Sequence, residues 1–269
     1  MPETRLDAIL STTRARIAAL KPRAAELERR AAAAPAPPSL ARALGAGGGG
    51  ATVGVIAEVK RRSPSAGTIR EDLDPEDHAR AYQRGGAVAI SVLTDEPHFG
   101  GSLEDLACVA AAVSVPVLRK DFILDELQLC EARAAGASGV LLIVRALSAD
   151  RLRALARAAR DQDLGVLVEI HSEAELAQAV TADPTAVGVN SRDLATFAVD
   201  LRLADRLLAQ VPDSLPAIAE SGIETRSDVE RMAGAGADLV LVGTAVARME
   251  DPEAAVRELT GVRRKGRGR

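Results

Sequence analysis

From Val53 onward, short apolar and largely β-branched runs recur at 53–58, 87–93, 115–119, 139–144, 164–169, 186–189, 216–219 and 238–242, separated by stretches with apolar residues at helical spacing. Continuous apolar runs of this length suit parallel strands buried on both faces, and their alternation with helices marks βα units. Eight such units predict an α/β chain folded as a (β/α)8 TIM barrel. A doubly wound sheet would show fewer strands and a glycine-rich turn after the first. Glu58-Val59-Lys60 stands there instead.

The helices carry start and stop signals. Asp74-Pro75 and Asp251-Pro252 place an N-cap before proline, and Ser102…Asp105, Ser172…Glu175 and Thr225…Asp228 pair an N-cap with an acid three residues later. Gly85-Gly86-Ala87, Gly136-Ala137 and Gly236-Ala237 predict left-handed caps just before strands. Leu152, Leu155 and Ala159, like Leu127, Cys130 and Ala134, form stripes expected to face the sheet.

Residues 3–34 have Leu6, Ile9, Leu10, Ile17 and Leu20 at near-helical spacing, interrupted at Pro22. They predict an N-terminal helical extension, stopped by Pro35-Ala36-Pro37-Pro38. Gly45 to Gly50 lacks the Gly-Lys-Ser/Thr of a phosphate loop and reads as a flexible linker. The expected organisation is an extension and linker over 1–50, a catalytic barrel over 51–261, and a basic, disordered tail over 262–269.

The chain has 269 residues, 47% of them hydrophobic, enough for a large core. The expectation is a soluble, cytoplasmic protein, since no apolar run reaches the ~18 residues of a membrane span and no signal peptide is recognisable. Net charge is −4 and aromatics are scarce, so no nucleic-acid partner is expected. Cys108 and Cys130 read as buried small hydrophobes. His171 beside Glu169 could suggest a metal pair, but the reading favours a second-layer or solvated histidine, and no metal is expected.

The C-terminal ends of the strands carry Glu58 and Lys60, then Lys120, Glu169, Asn190 with Arg192, Glu220 with Ser221, and Gly243 with Thr244. A single charged residue at a strand end is most simply solvated. Six ends converging on the mouth of a barrel predict an active site in which carboxylates and lysines shift one another's pKa values. The small residues after strands seven and eight, Ser221-Gly222 and Gly243-Thr244, suit a phosphate, hence a sugar-phosphate substrate.

The runs Ile56 to Ser65, Pro116 to Phe122, Val168-Glu169-Ile170-His171, Gly188 to Leu194 and Glu220-Ser221-Gly222 closely resemble the indole-3-glycerol phosphate synthase family. The resemblance covers the barrel and the N-terminal extension. It implies ring closure of 1-(2-carboxyphenylamino)-1-deoxyribulose 5-phosphate, with loss of carbon dioxide and water, in tryptophan biosynthesis. It also implies a carboxy-lyase that needs no cofactor.

On this resemblance Lys120 is the general acid toward the C2′ carbonyl and Glu169 handles the proton transfers of dehydration. Glu58 and Lys60 complete the network, and the division of labour between Lys60 and Lys120 stays open. Asn190 and Ser221 orient the substrate. Substrate contacts fall to Glu220, to Gly222, Gly243 and Thr244 at the phosphate, to Arg192 and Ser63 at the anthranilate carboxylate, and to Pro64, Phe99 and Phe122 at the benzoate ring. The last phosphate loop departs from the family by reading Val-Gly-Thr-Ala-Val, which leaves the grip to backbone and a threonine hydroxyl. A monomer is expected, with association with other tryptophan-pathway enzymes as a further expectation. The alternatives are phosphoribosylanthranilate isomerase, which would call for a Cys/Asp pair, and a non-catalytic barrel, against which Lys120 and Glu169 both speak.

Overall fold

The computed structural model describes residues 4–193 and 198–267, and for residues 46–49 the backbone alone. Eight parallel strands close into a barrel in sequence order: β1 Gly54–Val59, β2 Ala89–Leu93, β3 Val117–Lys120, β4 Gly139–Ile143, β5 Gly165–Ile170, β6 Ala186–Asn190, β7 Ala217–Glu220 and β8 Leu239–Val242, the last pairing back to β1. All eight expected runs are strands, with ends shifted by one or two residues. Two solved structures reported below share the fold.

Strand alternation divides the core in two. Val55, Ala57, Val92, Val117, Val140, Val166, Val187 and Val240 point outward and bury against the helices. Ile56, Leu118, Leu141, Leu167, Ile218 and Leu241 point inward and fill the barrel. Stepping two residues along a strand keeps the face, so the residues that follow Ile56, Leu118, Leu167 and Ile218 on the inner face are Glu58, Lys120, Glu169 and Glu220. The charged ring at the mouth is thus the top layer of the same inward pattern that packs the interior.

Three elements precede the barrel: α1 (Arg5–Leu20), α2 (Ala24–Ala33) and α3 (Leu40–Gly49), with Pro22 in a short 3-10 turn between the first two. Around the barrel run α4 (Pro75–Arg84), α5 (Leu103–Ala112), α6 (Glu126–Ala134), α7 (Ala149–Arg160), α8 (Glu173–Thr181), α9 (Leu201–Leu208), α10 (Arg226–Gly234) and α11 (Pro252–Leu259). The expected caps are present: the side chains of Asp74, Ser102, Ser172, Thr225 and Asp251 each accept a backbone N–H of the helix they open. Gly86, Gly136 and Gly236 take the left-handed backbone expected of them.

The N-terminal extension covers the barrel from mouth to base. At the mouth, Ile9 and Leu10 of α1 bury in the same cluster as Phe122. On the side, Leu27 and Ala31 of α2 pack against Cys130 and Leu127 of α6. This corrects the reading of the α6 stripe: Leu127 and Cys130 face the extension, while Leu129 and Ala132 face the barrel. At the base, Leu40 and Leu44 of α3 plug the barrel interior. Leu40 fits because Gly139 and Gly165 lack the side chain that would meet it.

Three further expectations are corrected. The glycine run is not a flexible linker up to Gly50, because residues 45–49 continue α3. Ser39 caps that helix and the buried Leu40 and Leu44 anchor it, outweighing roughly 1 kcal/mol of helix propensity lost per glycine. The basic tail is ordered as far as it is described, through Arg267; Gly268 and Arg269 lie outside the described residues. Arg263 bridges to Thr52, Arg264 donates its backbone N–H to Ala51, and the guanidinium groups of Arg264 and Arg267 both pair with the buried Asp238. Cys108 is exposed on the outer face of α5, and only Cys130 is buried.

Candidate active site

A cavity of about 460 Å3 opens at the C-terminal mouth of the barrel and collects residues from all eight strand ends or the loops after them. Each of the fifteen sequence-predicted positions lines it: Glu58, Lys60, Ser63, Pro64, Phe99, Lys120, Phe122, Glu169, Asn190, Arg192, Glu220, Ser221, Gly222, Gly243 and Thr244.

At its centre the Lys120 ammonium lies 3.2 Å from Glu169 and 2.5 Å from Glu220. Both carboxylates are buried, and the lysine side chain is 16 % exposed, toward the cavity. Burial alone would lower the pKa of Lys120, but the carboxylates of Glu220, Glu169 and Glu58 outweigh it and raise the pKa. The two carboxylates are driven apart. Burial pushes Glu220 up to about 8, against the pull of Lys120 and with the help of Glu169. Burial also acts to raise Glu169, yet Lys120, His171 and a hydrogen bond from Asn190 hold it below the ordinary carboxylate range. Near neutral pH the cluster therefore holds a cation, a carboxylate and a neutral carboxylic acid, the division of roles that acid–base chemistry requires. Glu220 was expected only to touch substrate; the structure puts it inside the ion cluster. The signal was its inward register on β7, shared with Glu58, Lys120 and Glu169.

The space for Glu220 is made by β6. A methyl group on Gly188 would collide with Glu220 Oε1. That oxygen is buried and has no hydrogen-bond partner among the described residues.

A second pair, Lys60 with Glu58 at 2.9 Å, stands beside the first at the end of β1. Gly243 permits this approach, since a Cβ there would lie 2.5 Å from Glu58 Oε1 and 3.0 Å from Lys60 Nζ. Lys60 therefore sits between the carboxylates and the glycine-containing loops. In those loops Ser221 (φ 68°) and Gly222 (φ 71°) are consecutive left-handed residues. For serine this conformation costs on the order of 1–2 kcal/mol, and such strain collects at functional sites. Ser191 holds the turn by donating its hydroxyl to the carbonyls of Glu220 and Ser221, each at 2.9 Å.

Arg192, expected at the anthranilate carboxylate, lies on this side as well. It bridges to Val199, whose side chain packs where a Cβ of Gly222 would be. Burial lowers the pKa of its guanidinium. Asn190 Oδ1 accepts the backbone N–H of Arg192 at 3.0 Å, which aligns the β6 end. Leu194, the last residue of that motif, lies outside the described residues.

The opposite wall is apolar. Phe99 and Phe122 tilt toward each other with ring centroids 6.4 Å apart, and Pro64 lines the cavity beside them. Ser63 starts a small hairpin after β1, where its hydroxyl accepts the Ala66 N–H at 3.1 Å.

Behind the mouth, a polar network that motif reading missed ties α1 to β3. The fully buried Arg119 pairs with Asp121 at 2.9 Å and takes Thr94 and the Gln128 carbonyl as further acceptors. Arg16 of α1 reaches the same Asp121 at 3.0 Å and Asp95 at 3.5 Å. Only the pairing across 105 residues reveals it. Among the described residues no group of three His, Cys, Asp or Glu side chains is arranged to hold a metal ion, and no helix is long and apolar enough to cross a membrane.

The chain is similar to known proteins along nearly its whole length. The family model described as indole-3-glycerol phosphate synthase matches residues 6–259. The indole-3-glycerol phosphate synthase of Mycobacterium avium is 48% identical over 260 residues, covering 96% of this chain and 94% of that protein. Its counterpart in a Nocardioides species is 53% identical over 208 residues, covering 77% and 80%. Among solved structures, a 3-hexulose-6-phosphate synthase superposes with a TM-score of 0.60 at 19% identity over 77% of this chain and 98% of that one. A thiamine phosphate pyrophosphorylase from Pyrococcus furiosus gives 0.59 at 18% identity over 77% and 93%. These two likenesses speak to the barrel fold. The family match and the relatives carry further: this chain belongs to the indole-3-glycerol phosphate synthase family.

Proposed function

We propose that the chain closes the indole ring of 1-(2-carboxyphenylamino)-1-deoxyribulose 5-phosphate at this mouth, and that Lys120 is the acid that starts the reaction. The observation that carries the assignment of roles is the Lys120 ammonium gripped by Glu169 and Glu220 in a cavity apolar at one end and rich in glycine at the other. The benzoate ring lies on Pro64, Phe99 and Phe122. The phosphate takes the backbone N–H groups of Gly222 and Gly243 and the Thr244 hydroxyl. Arg192 stands on the Gly222 side, which favours the phosphate over the anthranilate carboxylate as its partner and leaves Ser63 for the carboxylate.

Two of the three N–H groups of Lys120 are directed to Glu169 and Glu220, and the third is available to the C2′ carbonyl oxygen. As the aromatic carbon bearing the carboxylate attacks C2′, Lys120 protonates the developing alkoxide. Loss of carbon dioxide from that carbon restores aromaticity. The C2′ hydroxyl then leaves as water while Glu169 removes a proton from C1′, giving the indole. Glu58 and Lys60 form the second proton-transferring pair beside that hydroxyl, Asn190 and Ser221 orient the substrate, Glu169 keeps Lys120 charged, and Glu220 accepts a Lys120 N–H and holds the lysine in place. The protein works in this reading as a cytoplasmic monomer that supplies tryptophan synthesis, in reach of other enzymes of that pathway.

Product fluorescence tests the proposal. Native protein treated with chelator turns over the carboxyphenylamino-deoxyribulose phosphate, and Lys120→Ala and Lys60→Ala, assayed separately, divide the two acids between ring closure and dehydration. Absence of product with folded native protein would remove the synthase reading.

A further inference from the structure

One cation on the cavity wall is left without a role by this mechanism. Among the described residues, the lysines and arginines that line the cavity are Lys60, Lys120, Arg192 and Arg248. Lys60 is paired with Glu58, Lys120 with Glu169 and Glu220, and Arg192 is half-buried on the Gly222 side. Arg248 is exposed, and its guanidinium makes no hydrogen bond or ion pair among the described residues.

The place of Arg248 is set by a single helical turn. After β8 the chain passes through Gly243 into the turn Thr244–Ala247, where the Ala247 N–H donates to the Gly243 carbonyl at 2.9 Å. Arg248 ends that turn with helical backbone angles, φ −78° and ψ −22°. Residues four apart in a helix share a face, so Thr244 and Arg248 look the same way, and both line the cavity. The next residue is tied down, because the Met249 carbonyl accepts from the Arg70 guanidinium at 3.0 Å. One carboxylate shares this rim: Glu224 lines the cavity from the loop after β7 and forms no ion pair with Arg248 among the described residues.

A phosphate monoester carries a charge of about −1.5 to −2 at neutral pH. Backbone N–H groups and a threonine hydroxyl offer it dipoles, and the charge of Lys60 is shared with Glu58. A guanidinium with all its donors open, on the same face as Thr244, can supply the balancing charge through paired N–H···O bonds.

We propose that Arg248 is a further substrate-binding residue that reaches in from the rim and pairs with the phosphate oxygens. It gives this chain the side-chain charge that the run Val-Gly-Thr-Ala-Val lacks. The inference rests on the synthase reading for the identity of the ligand and for the placing of its phosphate at Gly222, Gly243 and Thr244.

Inorganic phosphate is the first probe, since its binding needs no turnover. Followed by 31P line broadening, it binds native protein, and Arg248→Ala weakens it roughly 10-fold, the scale of one charge-assisted contact. Arg248→Lys recovers part of the loss. With the carboxyphenylamino-deoxyribulose phosphate, Arg248→Ala raises KM roughly 10-fold and leaves kcat within about twofold, because the phosphate is held equally in ground and transition states. Should the alanine variant not fold, Arg248→Gln takes its place. Absence of phosphate binding by native protein, native-strength binding by the folded variant, or a native KM in that variant overturns the proposal. Phosphate binding that depends on Arg248 in a native protein without turnover would uphold the anion contact and count against the synthase reading alone.

Discussion

The two ends of the barrel bury charge to a similar depth and use it differently. At the base, Asp238 is 4 % exposed, yet its carboxylate accepts the Ala217 N–H at 2.8 Å and pairs with Arg264 and Arg267. Arg267 satisfies its remaining donors on the carbonyls of Val211, Pro212, Leu215 and Gly236. At the mouth, Lys120 faces two buried carboxylates that cannot both hold full charge cheaply, one oxygen of Glu220 has no hydrogen-bond partner among the described residues, and Ser221 is held in a strained backbone conformation. A buried ion whose partners are complete serves structure. A buried cluster left with an odd charge and open lone pairs is poised to exchange protons.

Substitutions at the two ends separate these roles. The largest effect falls on Lys120→Ala, which removes the proposed general acid and lowers kcat by about 10²–10⁴-fold in the fluorescence assay, in a variant that urea unfolding shows to be folded. Next is the double variant Arg264→Ala/Arg267→Ala, which strands the Asp238 carboxylate. Its cost is about 3 kcal/mol of stability, at the low end for a broken buried pair because Arg264 is partly exposed, while kcat stays native. A large loss of activity at unchanged stability in that variant would erase the distinction. Smaller again is Gly188→Ala, whose methyl group displaces Glu220. Overpacking of this kind costs about 1–3 kcal/mol, and a kcat reduced roughly 10-fold in a folded protein would show that the position of Glu220 matters.

Much of the mouth and little of the base was legible in the chain. Strand positions and inward register follow from local periodicity, and the catalytic candidates stand two residues beyond the apolar residues that pack the interior. Sequence reading therefore placed Glu58, Lys120, Glu169 and Asn190 together. It misjudged what depends on distant partners. The 262–269 segment reads as solvated until Asp238, buried and in need of cations, is placed beside it. The glycine run reads as a linker until Leu40 is seen to fill the space left by Gly139 and Gly165. The Leu127 and Cys130 stripe reads as barrel-facing because one helix face looks like another when the covering α2 is not yet in view. Glu220 read as a binding residue because its unusual protonation arises from burial against Glu169, which no motif displays.

The protonation of Glu220 is also the most direct handle on the account. With its pKa raised from 4.5 to about 8, Glu220 is neutral at physiological pH and ionises above it, adding a negative charge beside Glu169 and against an anionic substrate. The same shift makes folding less favourable as pH rises from 4.5 through about 8, because the folded state is the one that holds the proton. The measurement to make is kcat/KM against pH for the native protein and for Glu220→Gln, since this ratio reports ionisations of the free enzyme. The account predicts a native profile that falls above about pH 8, as an ionisation of the Lys120–Glu169–Glu220 cluster as a whole, and loss of that limb in the variant. A native profile that stays flat through pH 8, or a limb that persists unchanged in Glu220→Gln, would contradict it.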